Sequence, residues 1–413
     1  MDYARILDFG TELGYRIAMC GGETFRVEES ISLVLRSYGL EAQVFAIPNC
    51  LTVSIITPDG TPMTQMRRID DHGNDMSGLE RYNALSRKLC RETPDYDTAV
   101  KWLEETDKSV EKYSFPWILL GYFLGPFGFC IFYGGSLIDS LFSGICGLLV
   151  GMVGHGMKKL QSNVFFRTCI SSFLMGLLAY FFAVAGFVSN ADSVIIGALM
   201  PLVPGLLFVN SIRDVIYGDT NSGINRLIQV LLVALAIALG TAGALTVMGK
   251  LFTLPTPAET VAYSFLTENL AALVGCIGFA ILFNVHGKGF ALCALGGVIA
   301  WCAYRLTLCL GGSVTFGFLI SAGSSSLYAE IMARVRKCPA PPYLLVSIFP
   351  MIPGAGVYYT MTFAVYNDMA NFVSKGMQTV ASAGAMALGI IVVSSLFRLY
   401  GVWHIRRYFE KHR

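Results

Sequence analysis

Pro201-Leu202-Val203-Pro204-Gly205 and Pro350-Met351-Ile352-Pro353-Gly354 are two copies of one pattern, P-x-x-P-G, set 149 residues apart in a chain of 413. Each falls inside a long apolar stretch. Proline there removes a backbone donor and clashes with the preceding turn, so a helix must break or kink. Working outward, residues 201–240 laid on 350–389 without a gap agree at eleven of forty positions. Composition alone would give about three. The agreements include Tyr217 with Tyr366, Asp219 with Asp368, Gln229 with Gln378 and Gly240 with Gly389, and Arg226 meets Lys375. A weaker match, offset by 150, pairs Gly128-Phe129 with Gly278-Phe279 and Gly147 with Gly297. A single break of this kind reads as an ordinary proline kink. Two at matched positions point instead to freed carbonyl and amide groups that can hold a zwitterion or an anion.

Around these breaks lie ten apolar stretches, 116–134, 137–156, 168–189, 193–210, 227–249, 262–284, 289–309, 313–332, 343–364 and 377–398. Each is about 20 residues, enough to cross a hydrocarbon core of ~30 Å. The repeated unit is therefore five spans, and an odd number forces the second copy to run upside down. Inverted repeats are the architecture of secondary transporters, whose substrate sites lie near the midplane between the copies. The expected fold is a mainly α membrane protein: ten transmembrane helices as two inverted five-helix repeats, 113–250 and 251–413, preceded by a small α+β cytosolic domain over 1–112.

Composition agrees with that division. Hydrophobic residues make up 54% of the chain and charged residues 14%, against roughly 25% charged in soluble domains, which excludes disorder. Residues 1–112 carry a net charge of −6 and the remainder +8. The total of +2 suggests no nucleic-acid partner. Asp2, Arg5, Asp8 and Glu12 interrupt any run long enough for a signal peptide. With the N-terminus inside, 27 Lys and Arg fall on the cytosolic side and only Lys250 and Lys375 outside, with Arg305 within a span. Both termini of a multi-pass protein of the inner (plasma) membrane are thus expected in the cytosol. The 11 cysteines form no C-x-x-C pair and read as reduced, small apolar residues. No metal site and no cofactor are expected.

Within 1–112, apolar residues at helical spacing from Tyr3 to Ala18 stop at Cys20-Gly21-Gly22. A second helix follows, capped by Thr24 and ended by Gly39. Leu51–Thr57 and Thr61–Arg67 flank the turn Pro58-Asp59-Gly60 as a hairpin, with Gln43–Ile47 beside it. Two further helices, about Met76–Cys90 and Pro94–Lys112, lead into the membrane. His72 is the segment's sole histidine and no G-x-S-x-G elbow occurs. A regulatory or gating domain is favoured over an enzyme. Arg26 and Glu28 read either as site residues or, more simply, as a surface ion pair or a structural contact to the hairpin.

After the first break come Asn210, Arg213-Asp214, Tyr217-Gly218-Asp219 and Arg226. Ionisable groups near a membrane are costly and often functional, although Arg213 and Asp214 would also suit a cytosolic interface loop. Arg305 lies deep in a span and needs a partner. His286, beside Gly287-Lys288, reads as a solvated loop residue that would titrate near neutrality if it were functional. No P-loop occurs, so ATP hydrolysis does not drive the chain, and a carboxylate exchanging a proton is the alternative.

Gly22-Glu23-Thr24-Phe25-Arg26-Val27-Glu28-Glu29 resembles the N-terminal signature of the threonine/serine exporter family. So does the stretch from Pro204-Gly205 through Asn210, Arg213-Asp214, Gly218-Asp219 and Ser222-Gly223 to Arg226. The resemblance covers essentially the whole chain. It implies proton-motive export of threonine and serine from the cytosol. Split relatives are associated with succinate, so a C4 dicarboxylate exporter is the alternative. A membrane-anchored hydrolase ranks below both. Pro204, Gly205, Asn210, Pro353, Gly354 and Tyr358 are the expected substrate-binding residues. Arg213, Asp214, Asp219, Arg226, Arg305 and Asp368 are the expected proton-coupling or gating residues, with Asp214, Asp219 and Asp368 as proton carriers. Gly22, Arg26 and Glu28 mark the N-terminal motif. Expected partners are a small amino acid or dicarboxylate, protons and lipid; homo-oligomerisation is left open. Site charge separates the substrates: a dianion wants net positive groups, a zwitterion one donor cluster and one acceptor.

Overall fold

The computed structural model describes residues 2–69, 73–256 and 258–411, with side chains left out at 206 and 401–411. His72 lies outside the described residues. Two compact units are present. The first runs to Tyr113 and takes in Phe283–His286 and Arg336–Pro339, and the second holds the remaining membrane-type helices.

In the first unit, α1 (Tyr3–Met19) and α2 (Thr24–Ser37) precede β1 (Ala42–Ile47), β2 (Cys50–Ile56) and β3 (Pro62–Arg68). Helices α3 (Met76–Glu92) and α4 (Tyr96–Ser109) close it. The sheet is antiparallel in the order β1-β2-β3, with Val44 opposite Val53 and Thr52 opposite Met66. Leu51, Val53 and Ile55 alternate onto one buried face, as a half-covered strand dictates. Gly14 lets α1 approach closely, because a Cβ there would overlap the Ile31 side chain. Glu23 rather than Thr24 holds the cap position of α2, without a side-chain bond. The fourth helix starts two residues later than expected, where the Asp95 carboxylate accepts from Thr98 N at 3.4 Å.

The second unit contains α5 (Phe115–Phe132), α6 (Leu137–Lys159), α7 (Val164–Val184), α8 (Ala191–Leu199), α9 (Gly205–Ile216) and α10 (Thr220–Leu251). After these come α11 (Phe265–Leu282), α12 (Gly289–Cys309), α13 (Val314–Arg336), α14 (Pro341–Ser347), a single 3-10 turn at Phe349–Met351, α15 (Gly354–Val365) and α16 (Met369–Lys411). Both proline patterns break a helix. Among the described residues seven helices are long and apolar enough to cross a membrane, or eight if α14 and α15, bent by 41° at their break, count as one span. That is fewer than ten because α8 and α9 are short pieces. Helix α13, although 23 residues long, carries Ser321, Ser325, Ser326, Glu330, Arg334 and Arg336.

Helices α5 and α11 cross where glycines remove side chains. A Cβ on Gly128 would meet Gly275 N at 2.5 Å and Ala271 O at 2.6 Å, and one on Gly278 would meet Gly125 N and, at 2.9 Å, Gly121 O. Early residues of one helix thus face late residues of the other, so the pair is antiparallel. Phe129 and Phe279 meet edge to face at 5.6 Å. Small residues substitute close backbone packing for the hydrophobic drive that lipid cannot supply.

Candidate functional site

The two helix breaks touch. A Cβ on Gly205 would overlap the Ile352 side chain, and one on Gly354 would lie 2.9 Å from Val203 Cγ1. The contact is reciprocal, since Val203 and Ile352 hold equivalent places in the repeat. At the first break the amides of Leu202 and Val203 both donate back to Leu199 O, at 2.8 and 3.0 Å. At the second, Gly354 N donates to Ile352 O at 2.6 Å. Pro204, Gly205, Pro353 and Gly354 therefore form a packed crossing point here, and the side chains of Val203 and Ile352 fill it.

Open space lies to one side. A cavity of about 140 Å³ is lined by Tyr180 of α7, by Asp192, Ile195 and Ile196 of α8, and by Thr241, Ala242 and Leu245 of α10. Tyr358, Tyr359 and Thr362 of α15 and Tyr366 just beyond its end complete it. This volume far exceeds the ~10–15 Å³ that one water needs. Asp192 is exposed, in the first turn of α8. The other polar groups are tyrosine and threonine hydroxyls. Tyr358 is thus the expected substrate residue that reaches the cavity. Asn210 sits on α9, at the repeat position matching Tyr359.

The expected gating residues fall into three separate places. Arg213 and Asp214 are each 7% exposed; Asp214 lies 3.1 Å from Arg226 Nε and 3.8 Å from an Arg213 nitrogen. The last turn of α9 and the second turn of α10 bring this Arg-Asp-Arg cluster together. Asp219 and Asp368 instead cap the helices that follow them. Asp219 accepts from Ser222 N at 3.3 Å, and Asp368 accepts from Asn371 N at 3.2 Å and Asn371 Nδ2 at 2.7 Å. These bonds hold the exposed Asp368 carboxyl below the usual carboxylate range. Arg305 has its partner: Glu268 lies 3.4 Å away and also accepts from Trp301 Nε1 at 3.2 Å.

In the first unit the motif residues hold structure. Gly22 N donates to Ile17 O at 3.0 Å, and a Cβ there would come within 2.8 Å of that same oxygen. Arg26 pairs with Glu23 at 3.5 Å. Glu28 accepts from Ala46 N at 2.8 Å, which satisfies a donor of edge strand β1. His286 hydrogen-bonds Asn284 Oδ1 at 2.8 Å and stacks on Tyr113 with centroids 4.0 Å apart.

Sequence reasoning passed over Asp192, Tyr180, Tyr359, Thr362, Tyr366 and Thr241. A signal was present for three positions of α15 and the residue that ends it: Tyr358, Tyr359, Thr362 and Tyr366 recur at helical spacing. The first copy places Val209, Asn210, Arg213 and Tyr217 there, so the two copies are chemically unlike at the same face.

A family model described as "Putative threonine/serine exporter" matches residues 8–248, and a second, described as "Threonine/Serine exporter, ThrE", matches 268–396. The chain is 22% identical over 418 aligned residues to a threonine/serine exporter of Corynebacterium glutamicum, covering 98% of this chain and 83% of that protein. It is 24% identical over 239 residues to a "Probable succinate transporter subunit YjjP" of Klebsiella aerogenes, covering 55% of this chain and 88% of the relative. The Escherichia coli protein of the same name is also 24% identical, over 58% of this chain and 93% of its own length. No solved structure gives a significant match. With family matches on both halves, broken helices and a row of membrane-length apolar helices, the chain belongs to the threonine/serine exporter family of membrane transporters and is not an enzyme.

Proposed function

We propose that the chain exports small amino acids, threonine and serine foremost, from the cytosol across the plasma membrane, driven by the proton motive force. The observation that carries this reading is the cavity. One carboxylate, Asp192, shares the wall with tyrosine and threonine hydroxyls, and no basic residue among the described ones lines the space. A zwitterion finds an acceptor for its ammonium group and hydroxyl donors for its carboxylate, with aromatic faces to support the cation. A dianion would meet a like charge.

Ten crossings as two inverted five-span repeats complete the proposal. Tyr113, Phe283–His286 and Arg336–Pro339 belong to one compact unit, so an even number of crossings should separate them. Counting α8 with α9 as one crossing and α13 as another meets that requirement. The antiparallel contact of α5 with α11 supports inversion. The Lys and Arg excess then puts both termini in the cytosol. On this orientation Asp192 lies in the outer half and the buried Arg213-Asp214-Arg226 cluster in the inner half, as an inner gate. The arrangement is outward-facing.

Counterflow in proteoliposomes tests the substrate. Labelled threonine or serine should accumulate against preloaded unlabelled substrate, and succinate should not. Succinate accumulation without threonine exchange would overturn the reading.

A further inference from the structure

We infer that Asp192 is one site used in turn by the substrate's ammonium group and by the coupling proton. This deepens the proposed export function and rests on it. Asp192 has no ion-pair or hydrogen-bond partner among the described residues, and it is the one acidic or basic side chain on the cavity wall. The titratable groups sharing the wall with it are Tyr180 from α7, Tyr358 and Tyr359 from α15 and Tyr366 just after α15. From α10 come only Thr241, Ala242 and Leu245. Among the described residues none of these carries a compensating positive charge, so beyond the positive end of α8 itself a full counter-charge for the carboxylate in a closed cavity comes from the substrate or from solution.

Two such species are at hand: an ammonium group and a proton. Once the cavity closes over it, an anionic carboxylate without a counter-charge favours either one, and it cannot hold both. Protonation of Asp192 from the outer side therefore weakens the hold on an exported amino acid and releases it. The return stroke then carries the protonated, neutral carboxyl. The zwitterion leaves with Asp192 ionised and the carboxyl returns with one proton, so each cycle moves one proton and one positive charge inward per amino acid. Competition for one group couples the two fluxes without a separate proton path. The assignment sets Asp192 apart from Asp219 and Asp368, whose carboxylates hold helix ends.

The test uses the full chain in proteoliposomes. External KM for threonine exchange and threonine-driven proton uptake, followed with an entrapped pH dye, are measured for the parent chain and for Asp192→Asn and Asp192→Glu. In the parent, external KM should rise about tenfold per pH unit below the carboxylate's titration point, as simple competition requires. Asp192→Asn should lose that pH dependence and all threonine-driven proton uptake. Asp192→Glu should keep both with a displaced midpoint. If Asp192→Asn does not transport, threonine's effect on thermal unfolding in detergent replaces the KM: protection should vary with pH in the parent and not in the variant. Proton uptake that persists in Asp192→Asn, or a KM that keeps its pH dependence, overturns the inference while leaving the export function standing. A parent chain that exchanges neither threonine nor serine defeats the export function instead.

Discussion

Asp219 and Asp368 show how one carboxylate can invite two readings. Recurrence in both repeats made them proton carriers on the sequence alone, yet each accepts a backbone N–H at the start of the long helix that closes its half. Capping is sufficient reason for an acid to recur there. Asparagine caps nearly as well as aspartate, whereas alanine costs about 1 kcal/mol. Asp219→Asn should therefore retain uphill threonine export and nearly unchanged thermal stability, with Asp219→Ala measurably less stable; loss of uphill export in the asparagine variant would return the coupling role to Asp219. Cys20 offers a check in the first unit. Burial, with Asp75 adding to it, pushes its thiol up to about 12. The native state keeps this proton above the thiol's ordinary range, so this group's contribution to stability falls as pH rises from about 9 toward 12. Mass spectrometry after alkylation at pH 8.5 should find Cys20 unmodified in the native protein and modified in denaturant.

At the scale of elements, the α5–α11 seam depends on atoms that are absent. A side chain on Gly128 or Gly278 would strike backbone nitrogen and oxygen of the facing helix, and backbone cannot rotate away. Overpacking typically costs 1–3 kcal/mol, occasionally more. Gly128→Val should lower the unfolding temperature in detergent by several degrees, while the same change at Gly154, where a Cβ meets nothing within 4 Å, should leave it unmoved. The helix breaks behave differently. At Gly205 and Gly354 the obstacle is a side chain, Ile352 or Val203. A larger residue there would prise the breaks apart and hinder transport more than assembly.

For the whole molecule, topology carries the function. On the proposed ten-crossing topology, position 337 lies on the side of the N-terminus and position 250, at the end of α10, on the other. Single cysteines at these two positions, in a background with the native cysteines replaced, should react with a membrane-impermeant maleimide from opposite faces of oriented vesicles. Labelling from one face would remove the inverted repeat and, with it, the outer placement of Asp192.

The mainly helical, membrane-type character of the chain was legible in the sequence because its signals are periodic and local, whereas the count of ten spans exceeded the seven or eight helices long and apolar enough to cross a membrane among the described residues. Apolar stretches of membrane length, the P-x-x-P-G pair and the charge split each depend on neighbours along the chain. The hairpin at Pro58-Asp59-Gly60 and the glycine stop after α1 were equally readable, since turn chemistry resides in a few consecutive residues. The cavity was not readable in this way. Its wall draws Tyr180, Asp192, Thr241 and Tyr358 from four helices that belong to both halves of the membrane part. Asp192 carries no motif that would single it out from the other acids of the membrane part, and only packing puts it on the cavity wall without a partner among the described residues. Likewise, P-x-x-P-G predicts a break but not whether that break is hollow. Val203 and Ile352 decide that by filling the crossing point from opposite halves of the chain, and only tertiary packing brings them together.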